Sequence, residues 1–322
     1  MILVLRALGV GDLATAVPAL RGLRSAFPDR ELVLAAPAWL APLADLVGAV
    51  DRVLPTDGLG RLAWSRPPPE MAVNLHGRGP QSHRMLAAAR PHRLLAFANA
   101  AAGHADGPVW DDDEHEVRRW CRLLHGYDLP ADPADLALRR PPAVGAPTGA
   151  TVLHPGSKIP AKRWPAERFA AVARALAGRG HRVVFTGSEE EQELADRVAR
   201  DAGLPPETVL AGRTGLTELA ALVADARLVI SGDTGVAHLA TGYGTASVVL
   251  FGPVPPAHWG PPPDRPRHRV LGVPHRARID RDRSGSGGVG THPTLAAIPV
   301  DEVLAAVDEA ERAVRVSGAI AA

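Results

Sequence analysis

Residues 229–241 read VISGDTGVAHLAT. An apolar run ends at Ser231, a Gly-Asp-Thr-Gly turn follows, and small residues with helical character begin at once. A strand that stops at a glycine and resumes as a helix is the corner of a parallel α/β sheet. Backbone N–H groups at such a helix start face outward and form an anion site. Glycines on both sides of Asp233-Thr234 let the backbone come close to a ligand. His238, one turn in, would face back towards that site. A lone histidine is more often structural, so the weight of the corner depends on what the other strand ends supply.

Working outward, the same alternation fills the chain. In the first half, residues 2–5 (ILVL), 31–36 (ELVLAA), 51–55 (DRVLP), 71–75 (MAVNL) and 92–97 (HRLLAF) read as strands. Leu13, Val17, Leu20, Leu23 and Phe27 share one stripe and predict a helix over 13–27, interrupted on that face by Arg24. Shorter helices are expected at 40–47 and 81–89. A further helix is expected at 111–125, with Asp111, Asp112 and Asp113 in its first turn. The stretch RRPPAVGAPTGA (139–150) has no periodicity and reads as a linker. The pattern then restarts, with strands at 150–156, 181–187, 208–212, 226–232 and 246–252. The helices between and after them fall at 165–177, 189–202, 216–224 and 236–241. Residues 253–298 are rich in Pro, Arg, His and Gly and yield no assignment. Val300–Val316 closes the chain as a helix. Strands alternating with helices predict α/β units with parallel sheets. The domain boundaries read as 1–143, 150–299 and a terminal helix in 300–322.

Composition narrows the class. Of 322 residues, 46% are hydrophobic and 22% charged, as in a soluble globular protein. Thirty-six basic against 35 acidic residues leave a formal charge of +1, so no global field draws in nucleic acid. One cysteine, Cys121, excludes an internal disulfide and a cysteine-built zinc site, and suits a reducing cytoplasm. The N-terminal apolar run has no basic region before it, so neither a secretory signal nor a membrane span is expected.

In a parallel sheet, ligands sit beyond the C-terminal strand ends. Four turns there carry polar groups. Gly9-Val10-Gly11-Asp12 follows the first strand; it lacks the third glycine of a dinucleotide fingerprint, and an acid would repel phosphate. Asp12 reads either as a helix cap or as a base. His154-Pro155-Gly156-Ser157, followed by Lys158, Lys162 and Arg163, reads either as an anion-binding turn or as a solvated basic loop. Thr186-Gly187-Ser188-Glu189-Glu190-Glu191 offers a carboxylate for ribose hydroxyls, although the helix dipole alone accounts for at least two of the three acids. The fourth is the Gly232–Gly235 corner. Asp111-Asp112-Asp113 and Asp280-Arg281-Asp282 resemble metal-binding acids but lack supporting ligands. No G-x-S-x-G nucleophile elbow is present.

Together these motifs resemble glycosyltransferase family 9, the heptosyltransferase family. SGDTGVAHLATGYGTASVVLFGPVPPAHWG (231–260) is similar to the family's D-T-G-x-x-H signature, a strand and then F/Y-G-P. LRALGVGDLATAVPALRGLR (5–24) is similar to its G-D-x-x-x-x-x-P segment, and HPGSKIPAKRWPAERF (154–169) to its K-x-W-P segment. The resemblance implies a GT-B architecture, two Rossmann-like domains facing across a cleft. An acceptor would bind the first domain and a nucleotide sugar the second, with the final helix placed to cross back. It implies an inverting, metal-independent glycosyltransferase without a cofactor, working in the cytoplasm. Asp12 would be the general base and Lys162 would hold the donor phosphates. Glu191, or else Glu189 or Glu190, would hold the ribose. His154, Gly156, Ser157, Gly232, Asp233, Thr234, Gly235 and His238 would complete the donor site. In the first domain Gly11 and the stretch NLHGRGPQSHR (74–84), with Asn74, His76, Arg78 and Gln81, offer polar groups to a hydroxylated acceptor; that stretch reads equally as an ordinary loop. No basic amphipathic helix suggests a lipid-borne acceptor, so a small soluble metabolite stands beside a cell-surface glycan. ADP-heptose is the favoured donor, although no residue selects the nucleobase. The rivals are a nucleotide-sugar epimerase or hydrolase on the same fold, a non-catalytic nucleotide-sugar binder and, last, a nicotinamide-dependent dehydrogenase. Oligomeric state has no signature.

Overall fold

The computed structural model describes residues 1–60, 62–142, 145–272 and 290–321, and divides into two compact units, Met1–Arg139 and Arg140–Ala322. In the first unit the chain runs through β1 (Ile2–Leu5), α1 (Val10–Thr15), α2 (Val17–Ala26), β2 (Leu32–Ala36), α3 (Ala41–Val47), β3 (Arg52–Pro55), β4 (Met71–Asn74), α4 (Gln81–Ala87), β5 (Arg93–Leu95) and α5 (Glu116–His125). The five strands form one parallel sheet in the order β3-β2-β1-β4-β5. Every residue of β1, β2 and β4 is buried, which is why they read as unbroken apolar runs rather than as alternating ones. The chain steps outward from β1 and then returns to lay β4 beside it, with Leu5 paired to Asn74. The strand order therefore reverses between β1 and β4, where a doubly wound sheet opens a crevice at its C-terminal edge.

The second unit contains β6 (Thr151–His154), α6 (Ala166–Gly178), β7 (Val183–Phe185), α7 (Gln192–Ala202), α8 (Leu216–Ala224), β8 (Leu228–Gly232), α9 (Gly235–Tyr243), β9 (Ser247–Leu250), α10 (Pro256–Trp259), β10 (His268–Leu271), α11 (Pro293–Ala296) and α12 (Val300–Ala321). Its parallel sheet has the order β10-β9-β8-β6-β7. Here the reversal lies between β6 and β8, with His154 paired to Ser231. The core closes over Leu153, Phe169, Phe185, Ile230 and Leu250. The indole of the buried Trp164 donates to the Ile298 carbonyl at 3.1 Å, fastening the segment after α11 to the start of α6. α12 packs on β9, β10 and α6 of its own unit.

Three local expectations are corrected. The helix expected over 13–27 is two helices meeting at Ala16, because Pro18 has no N–H to continue the ladder and its ring crowds the carbonyl four residues back. The helix expected from Asp111 starts at Glu116, capped by His115, whose Nδ1 accepts from the Val117 N–H at 3.2 Å. The three aspartates precede it, and Asp111 Oδ1 accepts from the Asp113 N–H at 2.9 Å, a local bond that competes with helix. Residues 208–212 form no strand: after a 3-10 turn at Pro206–Thr208, only Val209 bridges to Phe185. The fifth strand is instead β10, in the segment left unassigned. It is half exposed, which broke the apolar run that would have marked it. The acids at Asp280 and Asp282 lie outside the described residues.

Candidate functional site

In the first unit the chain leaves β1 at Arg6, whose side chain is enclosed although it carries a charge. A buried guanidinium needs acceptors for its donors, and Arg6 has them. Its Nε donates to the Asp12 carbonyl at 2.9 Å and its Nη1 to the Leu75 carbonyl at 2.5 Å. Its Nη2 reaches Glu116 Oε1 at 2.9 Å, Thr15 Oγ1 at 3.2 Å and Asp12 Oδ1 at 3.5 Å. The guanidinium also lies 4.7 Å from the centre of the Trp120 ring.

Asp12 Oδ2 accepts from the Gly9 N–H at 3.1 Å, so Asp12 does act as a cap of α1, and its side chain remains 28% exposed. Capping and an accessible carboxylate coexist. Gly11 sits half-buried in the same turn. His76, just beyond β4, accepts the Ala7 N–H on Nδ1 at 3.2 Å, so the neutral ring carries its proton on Nε2. Burial, and then the charge of Arg6, hold its pKa below the ordinary value against the opposite pull of Asp12. Asn74 is wholly buried, and its amide binds the Gly77 carbonyl, Ser82 and His83. It shapes the loop rather than presenting a surface. Arg78 and Gln81 are exposed. Among the sequence candidates of this unit, Gly11, Asp12 and His76 thus gather at the β1/β4 strand ends.

Arg6, Glu116 and Trp120 were not singled out from the sequence. A usable signal existed: an arginine continuing an otherwise buried strand demands a partner. What the sequence could not supply was the partner's position, 110 residues away.

In the second unit the candidates lie around the β6/β8 reversal. Lys162 closes a 3-10 turn at Pro160–Lys162, and its Nζ donates to Asp233 Oδ2 at 2.7 Å. Asp233 belongs to the turn between β8 and α9. Thr234 is the N-cap of α9 with extended backbone, and its side chain makes no cap bond. A Cβ at Gly232 would lie 3.0 Å from the Lys162 carbonyl, so the glycine permits the two turns to touch. His238 packs edge-on against Trp259 of α10, with ring centres 5.8 Å apart.

Of the three consecutive glutamates, only Glu191 is buried; Glu189 and Glu190 point to solvent. Glu191 closes a capping box with Ser188, accepting from the Ser188 N–H at 2.8 Å. Its carboxylate lies against Gly156, where a Cβ would fall 2.2 Å from Glu191 Cδ. His154 ends β6 with Nδ1 3.0 Å from Thr186 Oγ1. Burial holds its ring below the ordinary pKa, partly opposed by Glu191. Ser157 is buried, and its hydroxyl accepts from the Ile159 N–H at 3.3 Å within the loop. A cation, an acid pair and the open amides of a helix start thus meet at one sheet edge, a set suited to a diphosphate with a hydroxylated neighbour. Among the described residues no group of three His, Cys, Asp or Glu side chains could hold a metal ion, and no helix is long and apolar enough to cross a membrane.

The family model described as glycosyltransferase family 9 (heptosyltransferase) matches residues 107–285, more than half of the chain. The chain belongs to glycosyltransferase family 9. The matched residues include the turns at Gly156, Lys162, Glu191 and Asp233, whereas Asp12 lies outside them. A lipopolysaccharide heptosyltransferase 3 of Escherichia coli is 37% identical over 81 residues, which is 24% of this chain and 24% of that protein. The chain therefore aligns with about a quarter of that relative's length. An E. coli ADP-heptose lipopolysaccharide heptosyltransferase II has the same fold, with a TM-score of 0.76, 22% identity, and coverage of 97% of this chain and 98% of that one. A glycosyl transferase family 9 structure from Veillonella parvula DSM 2008 superposes with a TM-score of 0.77 at 20% identity, covering 97% of each chain. Two parallel-sheet domains on the GT-B plan are thus common to this family 9 chain and its neighbours.

Proposed function

We propose that this family 9 chain is an inverting, metal-independent glycosyltransferase, moving a sugar from a nucleoside diphosphate to a hydroxyl acceptor in the cytoplasm. The observation that carries the reading is the Lys162–Asp233 pair at the open N-terminus of α9, with Glu191 beneath Gly156 on the same sheet edge. The second unit would bind the donor. Lys162 and the amides of Thr234 and Gly235 would take the charge that builds on the leaving diphosphate. Glu191 would accept the ribose hydroxyls. Asp233 and His238 would border the sugar.

The first unit would bind the acceptor. Its hydroxyl attacks the anomeric carbon opposite the diphosphate, and the partly exposed carboxylate of Asp12 removes the proton as the bond forms. In-line attack inverts the anomeric centre. The lysine and the helix amides supply the charge stabilisation that a metal gives elsewhere, so chelator should leave turnover unchanged. The printed names of the relatives make ADP-heptose the first donor to try. The acceptor is a hydroxylated glycan or small metabolite.

The test is a thermal-shift panel of ADP, UDP, GDP and their sugar conjugates, ADP-heptose included, on the wild type and on Lys162→Ala. Selective stabilisation by one nucleotide, lost in the variant, supports the donor site and names the base. No shift with any nucleotide at millimolar concentration overturns the reading.

A further inference from the structure

Ala7 and Gly9, two residues apart in the turn after β1, each hold one polar side chain with a backbone amide. The Ala7 N–H donates to His76 Nδ1 at 3.2 Å, and the Gly9 N–H donates to Asp12 Oδ2 at 3.1 Å. Two residues of chain span at most about 7 Å, so the imidazole and the carboxylate are anchored close to each other. The Leu8 N–H bonds the Arg6 carbonyl at 3.1 Å, which tightens the turn further. Of this pair the proposed chemistry uses Asp12 and gives His76 no part.

The ring is fixed in place and in protonation. The His76 backbone N–H donates to Asn74 Oδ1 at 3.1 Å, and Asn74 Nδ2 donates to the Gly77 carbonyl, also at 3.1 Å. Asn74 is wholly buried, so the chain on both sides of the His76 Cα is tied to the end of β4. Nδ1 faces a donor, and a proton there would set N–H against N–H. The turn therefore admits the neutral ring with its proton on Nε2. Burial first, and then the charge of Arg6, also disfavour the imidazolium, against the opposite pull of Asp12. Nε2 lies across the ring from Nδ1, directed away from the Ala7 amide, and the side chain is only half-buried. Among the described residues Nε2 has no hydrogen-bond partner. In this form Nε2 cannot take a proton; it can only donate a hydrogen bond. We propose that His76 is a second catalytic residue: its Nε2–H donates to one lone pair of the attacking oxygen, Asp12 accepts that oxygen's proton, and the other lone pair is left in line with the anomeric carbon. The inference rests on the transferase reading. In the step, the bond from the oxygen to the anomeric carbon forms, and the bond from that carbon to the diphosphate breaks, its electron pair leaving on the nucleotide. The proton passes to Asp12, and His76 keeps its own throughout.

Two measurements test it. On protein labelled with 15N-histidine, the ring signals of His76 are identified by NMR through their loss in His76→Gln. At about pH 7 they should show one tautomer, protonated at Nε2 and bare at Nδ1. A ring protonated at Nδ1, or an imidazolium, overturns the proposal. The second measurement is ADP release from ADP-heptose in water, where a water molecule takes the place of the acceptor hydroxyl. His76→Phe keeps a ring and loses the donor, and turnover should fall roughly three- to tenfold, the worth of one hydrogen bond. His76→Gln keeps an amide N–H and should lose less. A role in packing alone predicts the reverse ranking, with the ring-bearing Phe harmless. Should His76→Phe not fold, His76→Leu also removes the donor and should show the same fall. ADP affinity, set by the other unit, should stay within about twofold in every variant. Equal turnover in the wild type and a folded donor-less variant overturns the role of His76 and leaves that of Asp12 standing. Failure of the transferase reading shows differently, as a wild type that releases no ADP, and His76 then has no step to serve.

Discussion

Lys162 Nζ and Asp233 Oδ2 lie 2.7 Å apart across 71 residues of sequence, joining the turn after β6 to the turn after β8. The pair is largely shielded, with side-chain exposures of 20% and 8%. In the proposed donor site this lysine sits beside the turn that leads into α9, and Asp233 aims it. Lys162→Ala removes a charge-assisted bond to the diphosphate, worth about 1.5–3 kcal/mol, so the Kd for ADP should rise by roughly one to two orders of magnitude. Asp233→Asn frees the ammonium and should weaken donor binding less than Lys162→Ala does. Calorimetric titration of both variants with ADP checks the ranking; equal losses would mean that Asp233 itself carries the contact.

Asp12→Asn preserves the size of the side chain and an acceptor oxygen for the Gly9 N–H, but removes the base. Loss of general-base catalysis is expected to lower kcat by about 10² to 10⁴. The Kd for the donor, bound by the other unit, should stay within about twofold, an estimate that follows from the independence of separate sites. Single-turnover transfer and ADP titration on the same variant distinguish the two effects.

The strands that became β1, β2, β4 and β6 were readable because burial on both faces left unbroken apolar runs. β10 was not, because an edge strand with Arg269 turned outward carries no such run. The turns at Asp12, Lys162 and Asp233 were readable because glycines, acids and hydroxyls follow one another in the chain. Glu191 was the first choice of the three glutamates, with Glu189 and Glu190 left open; the Ser188-x-x-Glu191 capping box is the local reason that it is the one turned inward. The break at Ala16 was announced by Pro18. The Arg6–Glu116 pair had no local signature, because ion pairs between distant segments exist only once the sheet has placed them together.

Gly156 gives a steric prediction. A Cβ there would overlap the Glu191 carboxylate, 2.2 Å from Cδ and 2.4 Å from Oε1. Gly156→Ala must displace that side chain and should cost about 1–3 kcal/mol through overpacking. Glu191→Ala makes room for it. The double variant should therefore recover most of the stability lost in Gly156→Ala, which a denaturant double-mutant cycle would show as a coupling above about 0.5 kcal/mol. Additive losses would mean that the two residues are not in contact.

His268, at the start of β10, should make the second unit sensitive to acid. Its Nδ1 lies 2.9 Å from Ser247 Oγ, and among the described residues its buried Nε2 has no hydrogen-bond partner. Burial first, and then the charges of Arg265 and Arg267, bring the ring from an ordinary 6.5 down to about 4. The folded protein therefore binds this proton less readily than the unfolded chain does. The stability it contributes is complete above pH 6.5 and is lost as the pH falls from 6.5 towards 4. That interval corresponds to on the order of 3 kcal/mol for a single group. His268→Gln cannot titrate, so its stability should fall less steeply over the same range even if it starts lower at pH 7.5. Urea melts of both proteins at half-unit steps from pH 7.5 to pH 4 measure the two slopes; parallel curves would mean that the buried ring is not the group that makes the fold acid-sensitive.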